Sequence, residues 1–180
     1  MYATRRFRYC PVCGSSHFEA NGPKSLRCSD CQFELFVNAS AAYVALIYDD
    51  QGRLLVVRRR CEPARGTLDL PGGFADAGET AETGVAREVK EETGLDVTNV
   101  RFLFSLPNIY HYSGVDIPTL DLFFACEVSD LATLRAGDDA AEVLWLRPDE
   151  LHPADFGLAS IRRAVEKLKL AAEEHGGTRN

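Results

Sequence analysis

At 180 residues, with 46% hydrophobic and 26% charged side chains, the chain is sized for one well-buried domain plus a small appendage. Its net charge of −7 argues against broad electrostatic affinity for nucleic acid, although a bound cation would still admit a phosphate-rich ligand. No apolar run approaches the roughly 20 residues a membrane helix needs, and the opening stretch Met1–Cys10 has no apolar segment suited to export, so a cytoplasmic protein is expected.

The first element is built on cysteine. Cys10-Pro-Val-Cys13 and Cys28-Ser-Asp-Cys31 are two C-x-x-C pairs at a spacing that reads as a structural zinc site. Phe18, Leu26 and Phe33 are too few apolar groups to hold such a short segment without a staple, so metal binding there would be folding free energy. The competing readings are two disulfides or a redox pair; the missing export signal weighs against the first and the paired spacing against the second. Residues 1–40 carry five basic and three acidic side chains, and four thiolates around one Zn²⁺ would bring them near neutrality. That is a poor footprint for nucleic acid, so packing on the following domain or supporting a dimer is the expected role. Of the remaining cysteines, Cys126 reads as a small buried hydrophobe and Cys61, after Arg58–Arg60, as a loop thiol.

Tyr43–Tyr48 and Arg53–Arg58 read as a hairpin around the turn Asp49–Gly52, and Glu62–Gly66 as a loop. A helix over roughly 79–93 follows, stopped by Gly94. Val97–Leu106 reads as a strand, Pro107–Ile117 as a loop and Leu120–Val128 as a long apolar strand. Leu131–Ala141 is irregular and acidic, with Asp138 and Asp139, before a short strand Glu142–Leu146. Pro148 opens a short helix. A final helix over about 157–174 shows Leu158, Ile161, Val165 and Leu168 on one face, and His175–Asn180 reads as a frayed tail. Two helices among these strands suggest a mixed sheet between helical layers.

The helix over 79–93 carries the chemistry. Glu88, Glu91 and Glu92 fall at i, i+3 and i+4 and share one side, where like charges weaken a helix unless a cation intervenes. On a helical wheel, Ala81, Val89 and Glu92 lie within roughly 40° of Val85, with Glu88 about 60° and Glu91 about 120° away. The acids therefore border the apolar stripe, whereas a purely solvating face would oppose it. Oxygen ligands gathered this way suit a hard divalent cation that bridges to substrate phosphates. A surface helix with an acidic patch is the plain alternative.

Gly73, Glu79, Arg87, Glu88, Val89, Glu91, Glu92, Gly94 and Leu95 stand at every defined position of one signature, and Leu70-Pro71-Gly72-Gly73-Phe74 leads into it. The segment resembles the box of the Nudix hydrolases. The resemblance implies an α/β/α sandwich with a mixed sheet, giving a zinc ribbon over 1–37 and a Nudix domain over 38–180. It also implies Mg²⁺- or Mn²⁺-dependent hydrolysis of a nucleoside diphosphate linked to another group. Carried over by position, Glu88 and Glu92 would be the core metal ligands, with Glu91 joining directly or through water. Arg87 and Glu79 would pair and hold the loop to the helix. The Gly72 carbonyl would be a further ligand, and Gly73 would let backbone approach phosphate. Glu142 matches a position where relatives often place another acid, as ligand or base; the alternative is a surface charge.

Arg58 and Arg60 could contact substrate phosphate or simply end a solvated strand. Tyr110, Tyr112 or Phe124 could stack a base, with core packing the stronger reading for Phe124. The histidines show no ligand spacing, and His111 is the one best placed to face substrate. A ribbon before such a domain is similar to the bacterial NADH pyrophosphatases. Their later motif is matched here by Ser105, Pro107, Tyr110 and Ser113, but its Trp and two further prolines are absent. NADH or NAD and ADP-ribose-like compounds are thus equal expectations. A nucleotide-sensing or RNA-binding regulator without catalysis, or an RNA cap-removing hydrolase, is the alternative. The resemblance also raises a homodimer.

Overall fold

Short cysteine-rich and long apolar segments fold by different means here, and the contacts divide the chain accordingly. In the computed structural model, the described residues are 6–137 and 140–176. Met1–Arg5, the acidic Asp138–Asp139 pair and 177–180 of the expected tail lie outside them. One compact unit comprises residues up to Ser40 together with Ile109–Thr119; the other comprises Ala41–Asn108 and Leu120 onward.

The first unit holds a three-stranded sheet in the order β1 (Phe18–Ala20), β2 (Ser25–Cys28), β3 (Glu34–Phe36). Both pairings are antiparallel, with Phe18 opposite Cys28 and Leu26 opposite Leu35. Its small core is Cys10, Phe18, Leu26 and Cys28, flanked by Phe33, Leu35 and Val37. Each C-x-x-C pair occupies the same turn. Cys10 N–H donates to Ser15 O and Gly14 N–H to Cys10 O; Cys28 N–H donates to Phe33 O and Gln32 N–H to Cys28 O. Four residues after each leading cysteine the backbone turns left-handed, with φ 74° at Gly14 and 65° at Gln32. Glycine adopts this conformation freely; glutamine does not. Gln32 is held there by its own side chain, which donates to Ser29 O (2.6 Å) and accepts from Arg27 (2.8 Å).

The second unit is layered. Strands β7 (Gly72–Phe74), β4 (Ser40–Leu46), β9 (Val115–Val128) and β8 (Val97–Tyr112) form one sheet in that order, and β10 (Ala140–Leu146), β5 (Leu54–Arg59) and β6 (Leu68–Asp69) form another. The far ends of β8 and β9 run on into the first unit. The expected hairpin of the first two long strands survives only at its base, through the Tyr48–Leu54 bridge and the Leu55 N–H to Ile47 O bond. Beyond it, β4 and β5 take partners in different sheets. A parallel bridge joins Leu68 to Phe156 beside the antiparallel β10–β5 and β5–β6 pairings.

Strand alternation sends successive side chains into two cores. Tyr43, Ala45, Ile47, Leu55 and Phe124 meet Val85 and Val89 of helix α1 (Ala81–Thr93). Val44, Leu46, Leu54, Val56 and Phe123 meet Ile161, Ala164 and Val165 of helix α2 (Ala159–Gly176). The result is helix, strands, helix. Thr80 caps α1 in a reciprocal box with Thr83, and Gly94 ends it at φ 74°. At the start of α2, buried Asp121 accepts from Ser160 Oγ at 2.5 Å. Among the described residues no helix is long and apolar enough to cross a membrane.

The expected loop over Pro107–Ile117 is instead the end of a long hairpin. Ser113 and Gly114, at φ 50° and 72°, form the two-residue turn between β8 and β9. Positive φ at both central positions matches the twist of the flanking strands. Pro107 is tolerated because β8 is an edge strand. The apolar stripe of α2 is as expected, but the helix runs two residues past Glu174, and the turn opened by Pro148 is a 3-10 segment ending at Glu150.

Phe123 is fully buried and stacks on Phe104 at 4.8 Å between ring centres. Phe123→Ala is expected to cost about 3–5 kcal/mol, read as a lowered urea midpoint at unchanged slope.

Candidate active site

Three carboxylates of α1 and one from the loop before it gather here, and one guanidinium organises three of the four. Arg87 Nε and Nη2 grip Glu79 Oε2 and Oε1 at 3.1 and 2.9 Å, a two-pronged contact. Arg87 Nη1 donates to Glu88 Oε1 at 2.8 Å and to Glu91 Oε2 at 3.1 Å. Nη2 also reaches the Phe74 carbonyl at 3.3 Å. Asp76 N–H donates to Glu79 Oε1 at 2.7 Å, which fastens the loop to the same carboxylate. The fourth acid, Glu92, accepts from Gly72 N–H at 3.0 Å.

These contacts set the protonation of the group. The Arg87 guanidinium above all, with the Asp76 amide, holds the Glu79 carboxyl below the usual glutamate range. Burial pushes Glu88 above that range against the pull of Arg87. Burial thus makes the charge on Glu88 costly, a cost that a nearby cation would relieve.

Glycine permits this density. Gly72 adopts φ 155°, and a Cβ there would strike the Tyr43 carbonyl of the paired strand. At Gly73 a Cβ would lie 2.5 Å from the Glu88 carboxyl carbon, so the carboxylate rests directly on backbone. Gly84 faces the Tyr43 ring, which brings α1 close to β4. At the far end of the helix, the carbonyls of Thr93 and Glu92 accept from Arg135 N–H (2.9 Å) and Gly137 N–H (2.7 Å). None of Asp76, Gly84, Arg135 or Gly137 was singled out from sequence. Gly84 had a detectable signal, a glycine inside a helical pattern.

Glu142 stands opposite Arg58 on β10, next to a bulge, and its Oε2 accepts from Arg58 Nε at 3.0 Å. Arg58 Nη1 also donates to Gly66 O, and Arg60 Nη2 to Ala140 O at 2.9 Å. Both arginines are thereby committed to the protein's own carbonyls and carboxylate. Between them, Arg59 pairs with buried Asp69 at 2.6 Å. Tyr110 lies in the β8–β9 tip, stacked on Tyr112 at 6.4 Å, within the unit that contains the ribbon. His111 pairs with Asp116 at 2.7 Å.

In that first unit Cys10, Cys13, Cys28 and Cys31 place their sulfurs within 4.8 Å of one another. The Cys10–Cys31 and Cys13–Cys28 separations are 3.6 and 3.7 Å. A tetrahedron of sulfurs at the usual zinc distance has edges of about 3.8 Å. Backbone N–H groups of Cys31 and Asp30 bring the Cys28 thiol down to about 7 against the upward push of burial. It is the spacing of the four sulfurs, rather than the protonation of any one thiol, that fits a tetrahedral metal site. Cys61 is exposed, and buried Cys126 is pushed up to about 12 by desolvation.

Residues 38–168 match the NUDIX domain model. The chain is 28% identical over 175 residues to the NAD-capped RNA hydrolase NudC of Vibrio vulnificus, covering 94% of this chain and 62% of that protein. It is 35% identical over 142 residues to the ADP-ribose pyrophosphatase of Methanocaldococcus jannaschii, covering 77% of this chain and 79% of the relative. The chain spans from two-fifths to three-fifths of the length of several NudC relatives it matches. A crystal structure of a NUDIX hydrolase from Nitrosomonas europaea superposes with a TM-score of 0.71 at 23% identity, over 96% of this chain and 94% of that one. This likeness shows the fold.

Glu79 titrates below its unfolded value, so its contribution to stability is present above the ordinary glutamate range and is lost as pH falls through its own lower value. Glu79→Gln is expected to lower the urea midpoint at pH 7. The gap to wild type should narrow as the pH is taken down through the acidic range.

Proposed function

This chain belongs to the NUDIX domain family, and from that membership we propose that it is a divalent-metal-dependent pyrophosphohydrolase acting on a nucleoside diphosphate linked to another moiety, of the NAD(H) or ADP-ribose kind. The observation that carries the reading is the cluster of Glu79, Glu88, Glu91 and Glu92 around Arg87 and the Gly72–Gly73 backbone. Carboxylates packed against bare glycine backbone, one of them raised by burial, are donors suited to a small hard cation.

Glu88 and Glu92, with Glu91, the Gly72 carbonyl and Glu142, would hold Mg²⁺ or Mn²⁺. Bound there, the ion would neutralise the pyrophosphate and acidify a ligated water. Arg87 would fix the Glu88 and Glu91 carboxylates, and Glu79 would fix Arg87. Gly73 would let a phosphate oxygen approach backbone. As the alternative to ligating the ion, Glu142 Oε1, the oxygen that Arg58 Nε does not use, would take the proton of the attacking water. Arg58, Arg60 and Tyr110 remain candidates for substrate contact, the arginines only by exchanging their present partners.

The ribbon, proposed over 1–37 ahead of a catalytic domain over 38–180, would be held by one structural Zn²⁺. A cytoplasmic setting, a possible homodimer and a small nucleotide substrate without broad nucleic-acid binding complete the proposal. The second reading is action on an RNA end, favoured by the relatives named for NAD-capped RNA.

A product screen over NADH, NAD, ADP-ribose, nucleotide sugars, diadenosine polyphosphates, nucleoside triphosphates and a NAD-capped oligonucleotide tests the proposal. Two phosphate-bearing products from the first group support it, whereas cleavage of the oligonucleotide alone favours the second reading. Turnover of none of them would support a sensor. Glu92→Gln should lower kcat/KM by roughly 10²–10³-fold with the urea midpoint little changed, the loss of several kcal/mol of charge stabilisation. Elemental analysis should find one Zn²⁺ per chain, and its removal by a chelator should expose four reactive thiols and melt the ribbon before the rest.

A further inference from the structure

The segment between β9 and β10 is tied to the end of the acid-bearing helix rather than to solvent. Asp130 Oδ1 accepts from Ala132 N–H (2.8 Å) and closes a 3-10 turn over Leu131–Thr133. Leu134 packs into the α1-side core. Arg135 N–H and Gly137 N–H then cap the Thr93 and Glu92 carbonyls. A helix leaves its last carbonyls without intrahelical partners, and here a remote loop supplies two of them. The fit at Gly137 is tight. A Cβ would run into the Glu91 carbonyl oxygen, 2.8 Å from Glu92 Cα and 3.0 Å from the Glu91 carbonyl carbon. Glu92 is therefore held twice, by Gly72 N–H at its carboxylate and by Gly137 N–H at its carbonyl.

We propose that Gly137 is a positioning residue for the divalent-metal site: its bare Cα and its N–H set the backbone of Glu91 and Glu92, and through it the placement of their carboxylates. The proposal rests on the metal-site reading above. No side chain of the segment need touch metal or substrate. Any residue with a Cβ at 137 forces the loop and the last turn of α1 apart, and a hard cation tolerates little error in its ligand geometry. Supporting contacts of this type set metal affinity as well as shape.

Gly137→Ala, prepared zinc-loaded and full-length, tests it by Mn²⁺ titration, with Ala136→Gly as the neighbouring control. The expected result is a Mn²⁺ dissociation constant raised about 10-fold or more in Gly137→Ala and changed less than about 2-fold in Ala136→Gly. The metal concentration at half-maximal rate should rise in parallel, while kcat at saturating metal falls less. A folded Gly137→Ala with wild-type Mn²⁺ affinity overturns the proposal, and a changed melting temperature alone does not support it. Should Gly137→Ala fail to fold, amide exchange in the wild type decides. Mg²⁺ should slow exchange at Gly137 and Arg135 about 10-fold or more if the strap and the metal stabilise the same turn, and unaltered exchange overturns it. The two hypotheses separate through Glu92→Gln. Wild-type Mn²⁺ binding that Glu92→Gln abolishes upholds the metal site even if Gly137→Ala is silent, whereas a wild type that binds no Mn²⁺ overturns both.

Discussion

Like charge on one side of a short helix is the constraint that the rest of the structure answers. Glu88, Glu91 and Glu92 would push α1 apart if nothing opposed them. Arg87 opposes two of them directly, and Glu79, brought in from the loop, holds Arg87 in the required orientation. The planar guanidinium suits this task because its donors point in fixed directions. A lysine in its place would provide a point charge without the geometry. The loop ahead of the helix is consequently tied to it by charge as well as by the Thr80 cap.

Close backbone approach is the second requirement, and it falls on glycines in three separate segments. Gly72 and Gly73 lie on β7, Gly84 within α1 and Gly137 in the loop before β10. Each removes a Cβ where a carbonyl, a carboxylate or a ring occupies the space. The acid-bearing helix is thus located from its start, its middle and its end, while Val85 and Val89 anchor its apolar side to the sheet.

The first unit solves a different problem. Its core of Cys10, Phe18, Leu26 and Cys28 is small, and half of it is sulfur. Two turns of the same hydrogen-bond pattern bring the thiols together, and amide donors favour the charged form at Cys28. Ser15 and His17, after the first turn, both bond to Asp30 in the second, which joins the two halves without metal. The hairpin tip Ile109–Thr119 clusters with this unit, and Arg6 reaches the Gly114 carbonyl at 3.0 Å.

Much of this was legible in the order of residues. Spacing alone announced the four sulfurs, the helix and its acids, because each depends on neighbours within a turn or two of chain. The alternation of Tyr43, Ala45 and Ile47 against Val44 and Leu46 likewise marks a strand buried on both faces. What the chain order concealed were contacts between distant segments. The extended hairpin went unread because Pro107 suggests a loop, and only the edge position of β8 makes it harmless. The commitment of Arg58 to Glu142 needs the β5–β10 register, and the role of Gly137 needs a loop folded back onto a helix formed more than 40 residues earlier. Local periodicity and ligand spacing are properties of sequence. Which backbone groups meet, and where a missing Cβ matters, are decided only when tertiary packing brings remote segments into contact.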